Sequence, residues 1–211
     1  LINSIHINGN EVYKWTHSLP SGHYLTAIIN SVFVCLSFAM MWMEALGDFT
    51  YFSARDFFDY CGIVAYGDDH LVAIPHRFLE KINQINLPDL FKNIGLSYTM
   101  EDKDAVANTF ARTIREVSYL KRSFVFDEDR MRWLAPLSLD TILETPMWMH
   151  KTPDKLSQTR ELIDWALREL SVHDINTWLD WSVRLKGLGY ELGHYTKFDV
   201  FDETRSFVLD N

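Results

Sequence analysis

Residues 61–74 read Cys61-Gly62-Ile63-Val64-Ala65-Tyr66-Gly67-Asp68-Asp69-His70-Leu71-Val72-Ala73-Ile74. Two short apolar, β-prone runs flank a Gly-Asp turn, the pattern of a buried hairpin. The turn lifts two adjacent carboxylates, Asp68 and Asp69, out of a core, where their mutual repulsion must be offset. Hard divalent cations such as magnesium do this well because they bind carboxylate oxygen. A solvent-exposed turn is the alternative, since Gly and Asp are ordinary turn residues. The tetrapeptide alone leaves both readings open.

Composition places this turn in a folded protein. A chain of 211 residues can bury a core in one or two domains. An apolar share of 47%, with 14% aromatic residues, excludes general disorder. Cys35 and Cys61 are the two cysteines, with no Cys-x-x-Cys and no histidine pair at ligand spacing. That argues against a disulfide framework or a zinc site and suits a reducing compartment. The first residues include Asn3, His6 and Asn8 rather than the apolar core of a secretory leader. A net charge of −9 opposes the basic face usual for nucleic-acid binding. Metal-dependent phosphoryl-transfer sites, however, are themselves acidic. The longest uncharged stretch, Leu19 to Met43, is interrupted by Pro20, Ser21, Gly22, His23, Thr26, Asn30 and Ser31. It reads as a buried helix rather than a lipid-facing span.

The spacing predicts one long, mostly buried helix from Thr26 to Leu46, stopped by Gly47. After the hairpin, Pro75 opens a helical region carrying Phe78, Leu79, Ile82 and Ile85. Leu87-Pro88 breaks it, and Gly95 ends the next stretch. Leu96 to Met100 reads as a strand, followed by a charged loop, Glu101 to Asp104. A second hairpin is expected from Val117–Leu120 and Ser123–Phe126, then a turn at Asp127-Glu128-Asp129 and a strand from Met131 to Leu134. Past Pro136 the pattern turns helical. Thr152-Pro153 supplies an N-cap with proline at the first helical position. Leu156, Leu162, Ile163, Ala166, Leu167 and Leu170 then recur at helix spacing. Another helix carries Ile175, Trp178, Leu179, Ser182 and Leu185 before Gly187 and Gly189. The fold class is α+β, with a mixed module over residues 1–137 and a helical module over 138–211.

Ser21-Gly22 stands just before the long helix, with Thr26 and Asn30 inside it. A spacing of four places Thr26 and Asn30 on one face, one turn apart. Both are polar groups in apolar surroundings, where an unmet hydrogen bond is costly. They need a partner, either inside the protein, with Ser21 as a helix cap, or on a ligand hydroxyl.

Taken in order, Pro-Ser-Gly-x-x-x-Thr-x-x-x-Asn-Ser followed by Tyr-Gly-Asp-Asp resembles the core of viral RNA-dependent RNA polymerases of the picornavirus-like superfamily. Leu19 to Ser31 is similar to that family's motif B, and Ala65 to Leu71 to its motif C. Leu96 to Lys103 is similar to motif D, and Val117 to Phe124 to motif E. Trp133-Leu134-Ala135-Pro136-Leu137 and the helices after it resemble the start of the thumb. Four ordered motifs are a specific signal, where a lone Gly-Asp-Asp is a weak one. The resemblance covers nearly the whole chain and is weakest from Gly193 to Asn211. It implies a partial palm over residues 1–137, an antiparallel sheet with packed helices, and an α-helical thumb over 138–211.

The resemblance also implies roles. Asp68 would ligate magnesium, or manganese in its place, in a two-metal site, with Asp69 as a weaker or outer ligand. Ser21, Thr26 and Asn30 would recognise the ribose 2′-hydroxyl, directly or through a motif A aspartate, and Gly22 would be the flexible point of the motif B loop. Lys103 would act as general acid toward pyrophosphate; an exposed loop lysine is the alternative. Lys121 and Arg122 would touch the primer-strand phosphates, the alternative being a solvated turn. Partners would be RNA template and primer, nucleoside triphosphates, the fingers and motif A of the same polyprotein, and other viral replication proteins. The setting would be membrane-associated replication complexes in the host cytoplasm.

Two departures matter. Leu25 stands where picornavirus enzymes often carry a second glycine, so loop movement would rest on Gly22. The motif A aspartate should precede motif B, yet the first aspartate in this chain is Asp48. The expectation is therefore a C-terminal polymerase fragment that is inactive by itself. A non-catalytic scaffold with a polymerase-like fold is the competing class, and a reverse transcriptase stands further off because it usually lacks the Ser-Gly-x3-Thr-x3-Asn helix.

Overall fold

A computed structural model of the chain describes residues 5–14, 16, 19, 23–47, 53–100, 107–148 and 150–210. It divides into two compact units, Leu1–Ala111 and Arg112–Asn211. The fold is α+β, with short antiparallel strand pairs and helices packed around two separate apolar cores.

The first unit opens on a hairpin of β1 (Ile5–Asn8) and β2 (Glu11–Lys14). Helix α1 (Thr26–Leu46) follows, then α2 (Ala54–Tyr60), β3 (Gly62–Tyr66), β4 (Asp69–Ala73), a 3-10 turn at His76–Phe78, and α3 (Leu87–Asn93). The limits of α1 are those expected from sequence. Gly47 ends it in a left-handed conformation, φ +64°, with its N–H donating to the Met43 carbonyl at 3.1 Å, the stop that glycine makes easily. Phe38, Met41 and Trp42 from α1 meet Phe57 of α2 and Phe78, Ile82 and Phe91 beyond the hairpin. Their rings pack edge to face, Phe38 on Phe91 at 4.9 Å and Trp42 on Phe78 at 4.6 Å, as aromatic quadrupoles prefer.

Several expectations need correction here. Helix α1 is not mostly buried: Ile28, Val32, Phe33, Leu36 and Met40 are exposed, because one face suffices to close this core. By length and composition α1 passes for a membrane span; its inner face, Phe38 with Trp42, is the centre of a protein core. Pro88 does not break a helix but begins one, lying in the first turn of α3 where its missing N–H costs nothing. The region after Pro75 is a single 3-10 turn rather than a helix. Leu96 to Met100 keeps a strand's in-and-out alternation of burial but pairs with no strand among the described residues. Helix α2 was not anticipated, although Ser53 and Asp56 form a capping box at its start.

The second unit holds a 3-10 turn at Ile114–Glu116, β5 (Val125–Asp127), β6 (Arg132–Leu134), α4 (Leu139–Glu144), α5 (Lys155–Leu170), α6 (Ile175–Glu191) and α7 (Phe201–Asp210). Its core joins Ile142, Ile163, Ala166, Leu167, Leu170, Trp178, Leu185 and Phe198. The N-cap of α5 is Asp154, whose carboxylate accepts the Ser157 N–H at 2.9 Å, not Thr152. A carboxylate directly before the first turn is the stronger acceptor. Helix α6 runs through Gly187 and Gly189 instead of ending before them; a Cβ on Gly189 would sit 3.4 Å from the His194 carbonyl. The expected second hairpin contracts to one bridge, Tyr119 with Arg122, around Leu120 and Lys121, both at positive φ. The subdomain boundary expected at residue 137 falls inside the second compact unit. Arg122 pairs with Leu137, and His173 hydrogen-bonds the Leu137 carbonyl at 2.7 Å, so 117–137 is fastened to the helices that follow.

Candidate active site

The Gly-Asp-Asp segment is a two-residue hairpin turn, with Tyr66 opposite Asp69 closing the ladder. Gly67 is buried at φ +66°, a conformation that glycine enters without penalty. Asp68 and Asp69 are exposed. The hairpin itself is not buried on both faces. Ile63 and Val72 pack on the core, while Val64 and Tyr66 are 58% and 61% exposed. At its foot, burial pushes the Cys61 thiol up to about 11.

Helix α1 packs against β3. The turn is joined to it by the Ser31 hydroxyl, which accepts the Gly67 N–H at 2.9 Å and donates to the Ala27 carbonyl at 2.8 Å. On the other side, His70 Nδ1 lies 2.8 Å from the Asp68 carbonyl and Nε2 lies 3.3 Å from the Tyr98 hydroxyl. The His70 ring meets Phe38 edge-on at 5.0 Å. Thr26 opens α1 and Asn30 follows one turn later, both half-buried. The Asn30 side-chain amide makes no hydrogen bond to another described residue. The structure therefore joins the turn that carries Asp68 and Asp69 to the second turn of α1, at Ser31.

Ser21, Gly22 and Lys103 lie outside the described residues. Lys121 is exposed at the tip of its turn in the second unit. Arg122 is engaged internally: Nη1 reaches the Ala135 carbonyl at 2.8 Å, and Nη1 and Nη2 each reach a Glu169 oxygen at 3.0 Å. Such a fork uses most of its donors. Sequence reasoning missed Ser31 and His70 as parts of the site. Ser31 stood in plain view beside Asn30, but its partner lies 36 residues away and no spacing rule connects them.

The donor set suits a hard divalent cation: two exposed carboxylates at one turn supply oxygen ligands and leave the rest of the coordination shell to other oxygen donors. Among the described residues no cluster of three or more His, Cys, Asp or Glu could hold a metal without such help.

Comparison with known proteins agrees with the geometry. The sequence model of the viral RNA-dependent RNA polymerase family matches residues 1–180. The chain is 35% identical over 187 residues to the replicase polyprotein of acute bee paralysis virus, covering 85% of this chain and 10% of that polyprotein. It is 33% identical to the replicase polyprotein of cricket paralysis virus, covering 82% of this chain and again 10% of the relative. The chain thus spans about a tenth of the length of these curated relatives. Among solved structures it is similar to the Sicinivirus 3Dpol RNA-dependent RNA polymerase, with a TM-score of 0.68 and 20% identity, over 100% of this chain and 42% of that one. With the ordered motifs, the paired carboxylates and these matches in agreement, the chain belongs to the viral RNA-dependent RNA polymerase family, within its picornavirus-like superfamily.

Proposed function

We propose that these residues supply part of the palm and the thumb of an RNA-dependent RNA polymerase that extends a primer on an RNA template during positive-strand virus replication. The observation that carries this reading is the seating of the Gly67–Asp68 turn on α1. It joins the turn that carries the exposed carboxylate pair to the second turn of the helix that holds Thr26 and Asn30. Asp68 and Asp69 would hold magnesium, or manganese in its place. Bound there, the metal would stabilise negative charge on the attacking 3′ oxygen and the leaving pyrophosphate. Thr26 and Asn30, with Ser21 and Gly22 ahead of them, would read the ribose 2′-hydroxyl. A polar site of that kind rejects a sugar lacking the hydroxyl because its own groups are then left unpaired. Lys103 would donate a proton to the departing pyrophosphate.

Lys121 would meet primer phosphate as a point charge. The Arg122 fork to Glu169 would instead hold the turn that presents Lys121. Fingers and a motif A aspartate would come from the same polyprotein, and synthesis would proceed in membrane-associated complexes of the host cytoplasm. The test is Asp68→Ala in the full-length polymerase carrying this segment. RNA synthesis should disappear while the circular dichroism spectrum is unchanged, and undiminished synthesis refutes the catalytic reading in favour of a scaffold.

A further inference from the structure

We propose that Ser31 and His70 are positioning residues that fix the backbone on both sides of Asp68 and so set where its carboxylate meets the metal. This rests on the polymerase reading above and names two residues that the motif spacing leaves without a role. The first hold is on the peptide entering Gly67. The ladder closes at Tyr66 and Asp69, so the N–H of buried Gly67 lies outside it and needs another acceptor. Ser31 provides one. Its single hydroxyl hydrogen is committed to the Ala27 carbonyl one turn back, which aims an oxygen lone pair away from the helix at Gly67. The two hydrogen bonds run in series, Gly67 N–H to Ser31 O–H to Ala27 carbonyl, and each polarises the next.

The second hold is on the peptide leaving Asp68. A carbonyl can only accept, so His70 Nδ1 carries a hydrogen and donates it to the Asp68 carbonyl, while Nε2 at the far side of the ring meets the Tyr98 hydroxyl. Tyr98 is itself packed against Phe38 and Phe91, at 6.2 and 4.9 Å between ring centres. The backbone of Asp68 is thus tied to a helix on one side and to the aromatic core on the other, while its side chain stays exposed. Partners of this kind, which orient a ligand without touching the metal, typically change metal affinity or activity by roughly 10- to 100-fold.

Two measurements test this. In the 211-residue chain, Ser31→Ala should accelerate hydrogen exchange at the Gly67 amide, and Ser31→Thr, which keeps the hydroxyl, should restore protection. Alanine is a good helix former, so α1 persists. In the full-length polymerase carrying this segment, Ser31→Ala should raise the magnesium concentration for half-maximal incorporation by about 10-fold or more. Nucleotide KM should stay within about twofold, and Ser31→Thr should recover most of the loss. His70→Phe keeps the ring packing but removes the Nδ1 donor, and it should shift the magnesium requirement the same way. Unchanged Gly67 exchange in Ser31→Ala, or unchanged magnesium requirements in both variants, overturns the proposal. Asp68→Ala run alongside separates the two levels. If it is inactive while the Ser31 and His70 variants match wild type, only the positioning role fails; if it remains active, the polymerase reading and the positioning role fail together.

Discussion

Gly67 shows how one residue can carry a geometric demand. Its φ of +66° lies in the left-handed region, and a Cβ there would meet nothing within 4 Å. The obstacle to substitution is backbone strain alone, roughly 1–2 kcal/mol for an L side chain. Gly67→Ala should therefore lower the unfolding free energy from denaturant titration by about that much while leaving the β3–β4 pairing intact, which hydrogen exchange along the ladder would show. A loss well above that range would point to a clash the structure does not contain. Asn30 makes a different demand. Asn30→Ala removes the open amide at the helix end, so discrimination between ribo- and deoxyribonucleotides should narrow in the full-length enzyme. A preserved ratio would remove Asn30 from sugar recognition. At this scale the sequence singled out Asp68, Asp69, Thr26 and Asn30 by residue type and spacing. The contacts of Ser31 and His70 were not legible there, because their partners are brought up only by folding.

Whole elements were legible where a local stop coincided with a clear period. Helix α1 is the clearest case: a run of apolar residues closed by a glycine, with no charge before Glu44. Its burial was misjudged for a physical reason. Apolar residues all round a helix do not say which face this chain covers, and here Phe38, Met41 and Trp42 are covered while Val32, Phe33 and Leu36 are not. The β1–β2 hairpin was missed although Gly9-Asn10 between two β-prone runs is a recognised hairpin signal. Helix α7 was missed because its buried contacts come chiefly through Thr204 and a half-buried Phe201 rather than an apolar stripe. The Tyr119–Arg122 turn places two non-glycine residues at positive φ, a strained arrangement that needs outside support. Arg122 provides it through Ala135 and Glu169. Arg122→Ala would leave the largely buried Glu169 carboxylate unpaired. We expect a loss of roughly 1.5–3 kcal/mol, the range for hydrogen bonds to charged groups, read as a lower denaturant midpoint of the second unit. Arg122→Lys should recover only part of it, since an ammonium cannot reproduce the fork. Full recovery with lysine would mean that charge, not geometry, supports the turn.

Across the molecule, the carboxylates whose titration is clearly displaced set the response to acid. Asp127 lies at the centre of the second unit's network. Burial alone would raise it, but the Arg130 N–H, the guanidinium groups of Arg205 and Arg130, and the Asp129 N–H outweigh burial and hold it below the ordinary aspartate value. Asp174 is lowered chiefly by the Thr177 hydroxyl and N–H at the start of α6. A carboxyl depressed in the folded state binds protons more readily when unfolded, so its contribution is complete above the unfolded value of about 3.9. That contribution is lost as pH falls from there through the folded value. The second unit should accordingly lose stability as pH falls below about 4. Asp127→Asn tests the assignment, because it removes the titrating group while keeping the shape. At pH 7 the variant should be less stable, since Arg205 and Arg130 lose the charge that Arg205 meets at 2.9 Å. Its melting temperature should then fall less than wild type between pH 5 and pH 2, so the two curves converge in acid. Parallel curves would show that Asp127 does not titrate over this range and that the acid limb belongs to other carboxylates.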